Sequence, residues 1–411
     1  MVVLAHHVVV LAKKYFQLFT HTYKPNGERK MKKMLSLAAL CAVLSYASPA
    51  SAELKLSGDA AIRGRADFKN NSTADDIKYQ YRVRLEAAAD LGDGFFFNAM
   101  AQNEEVAGGW TTISGIGATT ASVPVVPAIT GATNNTERYP FELSNFYFGR
   151  KQGCCQYKIG RLPLNSLSNP IFDLAFYAVP TEYSQSGIYA VDIPVATNNF
   201  DRLFGLNYST KLGDGDLNTS VFVLDNNSTS ANTATTGDGL LNDGYALHVS
   251  YKNQLGDVTI EPQVLISLTD VQGTQYKKIS PNTFGANATI PAGDSKIGVS
   301  AFYTMCKDSN GATTSLAPAN VDYNGYLLRL KGESGPAMAW IDYNHTSDKL
   351  ADITYNNVFV WAQYNFKLHE GSSNVNLTPT VRYRASGRDV AGASTLANNQ
   401  LRAELYTTVT F

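Results

Sequence analysis

The chain is poor in charged residues, and this scarcity narrows the classes of protein to which it can belong. Lysine, arginine, aspartate and glutamate make up 17% of its 411 residues, against about 25% in an average globular protein. So little charge argues against an intrinsically disordered chain and against a polybasic nucleic-acid binder. The chain also lacks an apolar run of about 18 residues, which excludes a membrane protein built from hydrophobic helices.

Cysteine and histidine are scarce as well, with four and six residues. The cysteines form no disulfide framework, and neither residue type shows the spacing of a zinc site. No histidine stands in a recognisable arrangement with a serine or an aspartate that would make a nucleophile and its base. The sequence therefore predicts no metal, no cofactor and no enzymatic activity. Tyrosine and phenylalanine, in contrast, are plentiful, at 23 and 19 residues.

The N-terminal segment carries the features of an export signal. Residues 31–52, MKKMLSLAALCAVLSYASPASA, combine two lysines, an apolar core and an Ala-Ser-Ala cleavage site, which is the pattern of a secretory signal peptide. Residues 1–30 have no role in front of such a signal. We interpret them as an upstream extension from a mis-assigned start, with Met31 as the initiator; a genuine N-terminal extension is the alternative. Cleavage after Ala52 leaves residues 53–411.

Removing this leader changes the charge balance. Residues 1–52 hold seven basic residues and one acidic residue, so residues 53–411 carry 27 basic and 34 acidic side chains. A net acidic chain is poorly suited to bind nucleic acid or an anionic lipid surface. We therefore expect no nucleic-acid partner.

The remaining chain alternates apolar and polar residues with a period of two, as β-strands with one covered face do. The pattern is clearest in residues 54–68, 77–91, 375–386 and 400–411. Strands of this length are long for a soluble sheet, where about five or six residues are typical, but they suit tilted strands that cross a membrane. A soluble β-sandwich is the alternative. Its inner face would carry bulky aliphatic residues, whereas this chain carries small residues and tyrosines.

Short and long connections alternate along the chain. The seven short, glycine-containing connections are residues 92–93, 152–153, 213–215, 256–257, 292–294, 333–335 and 370–371. The eight long ones are residues 69–75, 104–140, 162–198, 226–241, 270–281, 307–320, 347–353 and 387–397. Eight and seven connections predict a barrel of sixteen antiparallel strands. The least regular strand is 281–290. The alternatives are fourteen strands, or eighteen if residues 187–193 add a strand.

The last seven residues, LYTTVTF, are apolar at alternate positions and end in Phe411. With the signal peptide and the alternating hairpins, this pattern resembles the outer-membrane porins of Gram-negative bacteria. Residues 142–170 are similar to those of Campylobacter-type major outer membrane proteins. The resemblance implies an all-β transmembrane barrel that is exported through the periplasm to the outer membrane. It also implies that Phe411 belongs to an assembly signal, which the barrel-assembly machinery reads.

The resemblance implies partners as well: outer-membrane lipid and lipopolysaccharide, two further copies in a homotrimer, and the small hydrophilic solutes and ions that pass through. We therefore predict a porin for passive diffusion. A substrate-specific outer-membrane channel is one alternative, and a non-conducting barrel that acts as an adhesin or structural protein is another. The sequence leaves the preferred ion sign open.

Seven arginines are predicted to share one part of the inner wall. The first and last strands must pair to close a barrel, so the strands numbered one, two, fifteen and sixteen become neighbours. Their polar faces carry Arg63, Arg65, Arg82, Arg84, Arg382, Arg384 and Arg402. We expect these residues to line the pore as a basic wall. The alternative is a structural lattice in which Asp59, Glu86 and Glu404 neutralise the arginines.

Residues 162–198 form the third long connection and are unusually apolar for a surface loop. In porins the loop at this position folds into the barrel and faces a basic cluster. The resemblance therefore implies that Asp173, Glu182 and Asp192 are constriction-loop acids opposite the basic wall. Opposed charges across a narrow gap orient water and favour polar solutes.

The three cysteines outside the leader are predicted to lie at both ends of the barrel. Cys154 and Cys155 fall in a short connection, whereas Cys306 precedes a long one. We therefore expect no bond between Cys306 and the vicinal pair. A vicinal or an intersubunit disulfide stays open.

Overall fold

A computed structural model describes most of residues 54–411 and no residue before Leu54. The described residues are 54–69, 76–103, 110–113, 141–164, 169–174, 202–225, 244–269, 276–277, 280–308, 312–313, 320–350, 352–391 and 396–411. The upstream extension and the signal peptide, predicted at 1–30 and 31–52, lie outside them.

The described chain consists almost entirely of long antiparallel strands. In chain order the sixteen strands are β1 (Leu54–Lys69), β2 (Asp76–Gly92), β3 (Phe95–Asn103), β4 (Phe141–Gln152), β5 (Cys155–Pro163), β6 (Arg202–Leu212), β7 (Gly215–Asp225), β8 (Gly244–Leu255), β9 (Val258–Ser267), β10 (Asn282–Ala292), β11 (Ser295–Asp308), β12 (Val321–Ser334), β13 (Ala337–Asp348), β14 (Ile353–Tyr364), β15 (Asn374–Val390) and β16 (Leu396–Thr410). Each pairs with the next along the chain, so the sheet is built from successive hairpins.

Several short strands and one short helix accompany the sixteen long strands. Thr111–Thr112 pairs with β2, Phe366–His369 extends the edge that β14 offers to β15, and Tyr276–Lys277 pairs with Ala312–Thr313. One four-residue helix, α1 (Ile171–Leu174), follows β5. Within the described residues, no helix is long and apolar enough to cross a membrane.

The sheet closes on itself because its first and last strands pair. The register of β1 with β16 runs from Asp59 opposite Thr410 to Lys69 opposite Gln400. β1 also pairs with β2, and β16 with β15, so neither edge is left open. A closed sheet has no unpaired edge, which is what a strand needs in a medium without water.

The strand count and the connections predicted from the sequence are confirmed. All seven short and all eight long connections separate the strands where they were expected, and the strand predicted at 281–290 is β10, Asn282–Ala292. The alternatives of fourteen and eighteen strands are wrong. β5 pairs directly with β6, from Gln156 opposite Ser209 to Pro163 opposite Arg202, which leaves no place for a strand between them. Residues 187–193 lie outside the described residues.

The two faces of the barrel reverse the usual arrangement of a soluble protein. Along β12, Leu328 and Leu330 expose 48% and 53% of their surface, whereas Leu327 and Arg329, which alternate with them, expose 0% and 4%. Successive side chains of a strand point to opposite faces. The outer face is therefore apolar and the inner face carries the polar and charged residues, as in barrels that lie in lipid.

The short connections are tight hairpin turns. In the turn between β10 and β11, Gly293 has a φ angle of 62°, a left-handed conformation that side chains rarely adopt. Such turns fix the register of each hairpin, and with it the face to which every side chain points. The turns therefore decide which residues reach the lumen.

Candidate functional site

The seven predicted arginines lie on β1, β2, β15 and β16, and the closure of the barrel makes these strands neighbours. Arg382 on β15 stands directly opposite Arg402 on β16. Like charges at such positions repel each other, so this arrangement needs carboxylates among the guanidiniums. The structure supplies three, and we call the arginines with these carboxylates the arginine cluster.

Glu404 forms the centre of the arginine cluster. One of its carboxylate oxygens lies 2.9 Å from Nη1 of Arg63, and the other lies 2.8 Å from Nε of Arg382. The hydroxyl of Tyr406 donates to Glu404 at 2.7 Å and accepts from Nη2 of Arg382 at 2.6 Å. The side chain of Glu404 is fully buried. A buried carboxylate with these contacts holds three strands together at one point.

Asp59 is the second carboxylate of the cluster. It accepts from Nε of Arg84 at 2.5 Å, and its other oxygen lies 3.4 Å from Nη2 of Arg82. The Nε atom of Arg82 has no hydrogen-bond partner in the described part of the chain. One carboxylate thus serves two guanidiniums, and Arg82 has the weaker contact.

The third carboxylate is Asp67, where the sequence pointed to Glu86. Asp67 accepts from Nε of Arg402 at 2.5 Å and from Nε of Arg65 at 2.7 Å. Arg384 donates from Nε to the hydroxyl of Ser386 at 3.2 Å. The lattice of ion pairs proposed as the alternative is therefore present, and it includes at least six of the seven arginines.

The arginines differ in how far water reaches them. Arg65, Arg82 and Arg84 keep 15%, 21% and 32% of their side-chain surface exposed. The buried members of the cluster are Arg63, Arg382, Arg384 and Arg402. Water therefore reaches the first group, while the second group is buried within the wall.

Tryptophans on neighbouring strands extend the cluster around the wall. The guanidinium of Arg382 lies 3.7 Å from the ring centre of Trp361, and Trp361 stacks on Trp340 at 4.6 Å. Trp340 in turn lies 5.5 Å from the guanidinium of Arg329, which makes two hydrogen bonds to Asp342 at 2.6 and 2.9 Å. The strand alternation places these tryptophans on the inner face, and this signal was available in the sequence.

The third tryptophan of the chain also contacts the arginine cluster. The ring centre of Trp110 lies 4.1 Å from the guanidinium of Arg63 and 4.9 Å from that of Arg82. Trp110 belongs to the connection 104–140. All three tryptophans of the chain therefore lie beside arginines of the inner wall.

The described part of the connection 162–198 contacts strands other than the four that carry the seven arginines. Ile171 is fully buried, and the ring of Phe172 lies 6.0 Å from that of Phe222 and 5.0 Å from that of His248. Asn169 donates to Oε1 of Gln263 at 2.8 Å. These contacts reach the inner faces of β7, β8 and β9, and α1 also approaches β10, β11 and β12.

The predicted constriction-loop acids cannot be placed in the same way. Asp173 falls within α1, but its side chain lies outside the description. Glu182 and Asp192 lie outside the described residues. Opposition between these acids and the basic wall therefore stays a prediction.

The C-terminal residue and the cysteines occupy defined places. The backbone of Phe411 pairs with that of Gly58, with N–O distances of 2.9 and 3.0 Å, and its side chain is 54% exposed. Its role as an assembly signal stays a prediction. Cys154 and Cys155 lie at the turn between β4 and β5, whereas Cys306 is near the end of β11 that leads into a long connection. All three are free.

The chain is similar to known proteins in both sequence family and fold. A family model described as Gram-negative porin matches residues 36–382. Among solved structures, the chain is similar to OmpT of Vibrio cholerae, an outer membrane protein in its trimer form, with 10% identity, a TM-score of 0.49, and coverage of 88% of this chain and 100% of that one. It is also similar to a porin refined at 1.8 Å resolution, with 14% identity, a TM-score of 0.48, and coverage of 87% and 100%.

A third similar structure is OccK8 (OprE) of Pseudomonas aeruginosa, with 8% identity, a TM-score of 0.42, and coverage of 87% of this chain and 98% of that one. No curated protein matches the chain. The finer resemblance to Campylobacter-type proteins stays a prediction. The family model spans most of the chain, and the sixteen strands close into the barrel that such a family requires. The chain therefore belongs to the Gram-negative porin family of outer-membrane β-barrel channels.

Proposed function

We propose that the protein forms a water-filled channel for the passive diffusion of ions and small hydrophilic solutes. The observation that carries this proposal is the reversal of the barrel's faces. Leucines cover the outside, while arginines, carboxylates and amides line the inside. A charged inner wall hydrates a lumen and favours solutes that can exchange water for polar contacts. We expect no enzymatic activity, cofactor or metal.

We further propose that the connection 162–198 folds into the lumen as a constriction loop. The contacts of Asn169 and α1 with the inner faces of β7 to β9 support this placement. In a ring of sixteen strands, β9 is opposite β1, so the loop would face the arginine cluster across the pore. Asp173, Glu182 and Asp192 are the acids that such a loop would carry.

The exposed arginines favour a preference for anions. Arg82 and Arg84 face water and share the single carboxylate of Asp59, so this part of the wall keeps an excess positive charge. Fixed charge beside a narrow aqueous path attracts counter-ions and repels ions of the same sign. We therefore expect anions to pass more readily than cations of similar size.

Partners and processing follow from the same proposal. We expect removal of residues 31–52 on export through the periplasm, recognition of Phe411 by the barrel-assembly machinery, contact with outer-membrane lipid and lipopolysaccharide, and assembly of three copies. A substrate-specific channel would share this wall but would be blocked by its own solute. An adhesin or structural barrel would share the fold but would not conduct.

Single-channel recording of the protein purified from outer membranes tests the proposal. A diffusion porin gives stable, stepwise, ohmic openings, and the reversal potential in a salt gradient gives the preferred ion sign. A folded barrel without conductance would contradict the proposal and favour the adhesin. Openings that one class of solute blocks at low concentration would favour the specific channel.

A further inference from the structure

Trp110 is the one described residue of the connection 104–140 whose side chain reaches the arginine cluster. Its indole lies over the guanidiniums of Arg63 and Arg82 and meets the ring of Tyr406 edge-on, with 5.5 Å between ring centres. A tryptophan face carries negative partial charge and attracts a cation. The indole therefore both covers these guanidiniums and lowers the positive potential that they present.

Hydrogen bonds to neighbouring backbone and side chains hold Trp110 in this position. Thr111, the next residue, pairs with Tyr81 of β2, and the amide of Ile113 donates to the carbonyl of Tyr79 at 2.8 Å. Asn103, at the end of β3, donates to the hydroxyl of Thr111 at 2.7 Å. The amide of Asn103 thus joins the end of β3 to Thr111, the residue next to the indole.

Arg82 is the member of the cluster on which such a cover has most effect. Its contact with the Asp59 carboxylate is long, at 3.4 Å, and Nε has no hydrogen-bond partner within the described residues. Its side chain is 21% exposed, so it faces water beneath the indole. A guanidinium with a distant counter-ion keeps most of its positive potential. A group that covers the guanidinium therefore changes the potential that acts on an ion in the lumen.

We propose that Trp110 is a specificity-determining residue of the channel, which shields Arg82 from passing ions and so limits the preference for anions. This inference rests on the proposed function, because only a conducting pore has a preference to limit. The second long connection would then control selectivity independently of the constriction loop.

The test compares the reversal potentials of the wild type and two variants in a potassium chloride gradient. Trp110→Ala removes the indole, and we expect the ratio of chloride to potassium permeability to rise about twofold to fivefold, the equivalent of one cation–π contact. Trp110→Phe keeps an aromatic face, so its ratio should stay near that of the wild type. A difference in electrophoretic mobility between unheated and heated samples confirms that each variant is a folded barrel.

Trp340→Ala is the matched control. It also removes an indole from the inner wall, but the guanidinium beneath Trp340 belongs to Arg329, which Asp342 already neutralises through two hydrogen bonds. The extra space should raise conductance without changing the permeability ratio. A change of equal size in Trp340→Ala would show that lumen width, and not the cover over Arg82, sets the ratio.

A double variant shows whether the effect acts through Arg82. In an Arg82→Gln background, removal of the indole should change the permeability ratio much less than in the wild type. An unchanged ratio in Trp110→Ala, with wild-type conductance intact, would overturn the inference and leave the channel function standing. A wild type that never conducts would overturn both.

Discussion

The two sides of the inner wall solve the problem of burial in different ways. On one side, β1, β12, β13, β15 and β16 carry all the buried charged side chains that the described residues contain. On the other side, the buried positions of β6 to β11 are uncharged; they include Ser220, His248, Gln263, Thr283 and Thr304. The described part of connection 162–198 packs against this second side, and α1 also approaches β12.

The difference determines which buried groups each side stabilises and whether another segment can pack on it. Buried charges are stable only when counter-charges are fixed beside them, so the charged side is tied into a lattice in which the carboxylates bridge strands. The neutral side pairs its hydroxyls and amides locally, as Thr283 and Thr304 do at 2.8 Å, and leaves apolar side chains for Phe172 to contact. A segment can dock on the neutral side without displacing an ion pair.

The strongest disruption of the charged side is expected from Glu404→Gln. This variant keeps the shape of the side chain but removes the charge that Arg63 and Arg382 share. Loss of one partner from a buried ion pair costs about 3–5 kcal/mol in the free energy of unfolding. Urea titration of the folded barrel, followed by tryptophan fluorescence, measures this loss.

Glu333→Gln is the control, because Glu333 pairs with Lys331 at 2.6 Å but keeps 43% of its side chain exposed. Such a pair contributes at most about 1 kcal/mol. If Glu404→Gln were no less stable than this control, the ion pairs would not hold the charged side together.

The neutral side should be most sensitive to loss of volume. Phe172→Ala removes a buried ring that contacts Phe222 and His248, at an expected cost of about 3 kcal/mol. Phe172→Leu, which retains most of the volume, should cost less than about 1.5 kcal/mol. The same urea titration applies. Equal stability of the alanine and leucine variants would contradict a role for packing at this point.

Selectivity should depend on the exposed arginines of the charged side. Arg82→Ser combined with Arg84→Ser removes the two most exposed guanidiniums of the cluster. The ratio of chloride to potassium permeability, calculated from the reversal potential, should therefore fall several-fold. Arg65→Ser should shift it less, because Arg65 is 15% exposed and lies 2.7 Å from Asp67. An unchanged reversal potential in the double variant would show that these residues do not line the ion path.

The smallest effect is expected from a single hydroxyl on the neutral side. Thr283→Val removes the 2.8 Å hydrogen bond to Thr304, which should cost about 1 kcal/mol because the bond is buried. Ser295→Ala removes a hydroxyl pair with Ser334 that faces water, and its stability should be that of the wild type. A larger loss in Ser295→Ala than in Thr283→Val would reverse this ranking.

The fold was predictable because its determinants are local. Alternation with a period of two, tight glycine turns and the order of short and long connections all lie within a few residues of each other. β10, the least regular strand in sequence, is still found because β9 and β11 pair with it on both sides. The arginines were predictable for a related reason, since strand alternation and ring closure together place them on one wall.

The amino-acid sequence by itself determined the barrel, its sixteen strands and the face to which each arginine points. Only the tertiary structure decided that Asp67 and not Glu86 completes the lattice, that Trp110 lies over Arg63 and Arg82, and that α1 packs against β7 and β8. Residues within one strand keep a fixed spacing. Contacts between a connection and the wall depend instead on the path of the chain in three dimensions, and no periodicity encodes that path.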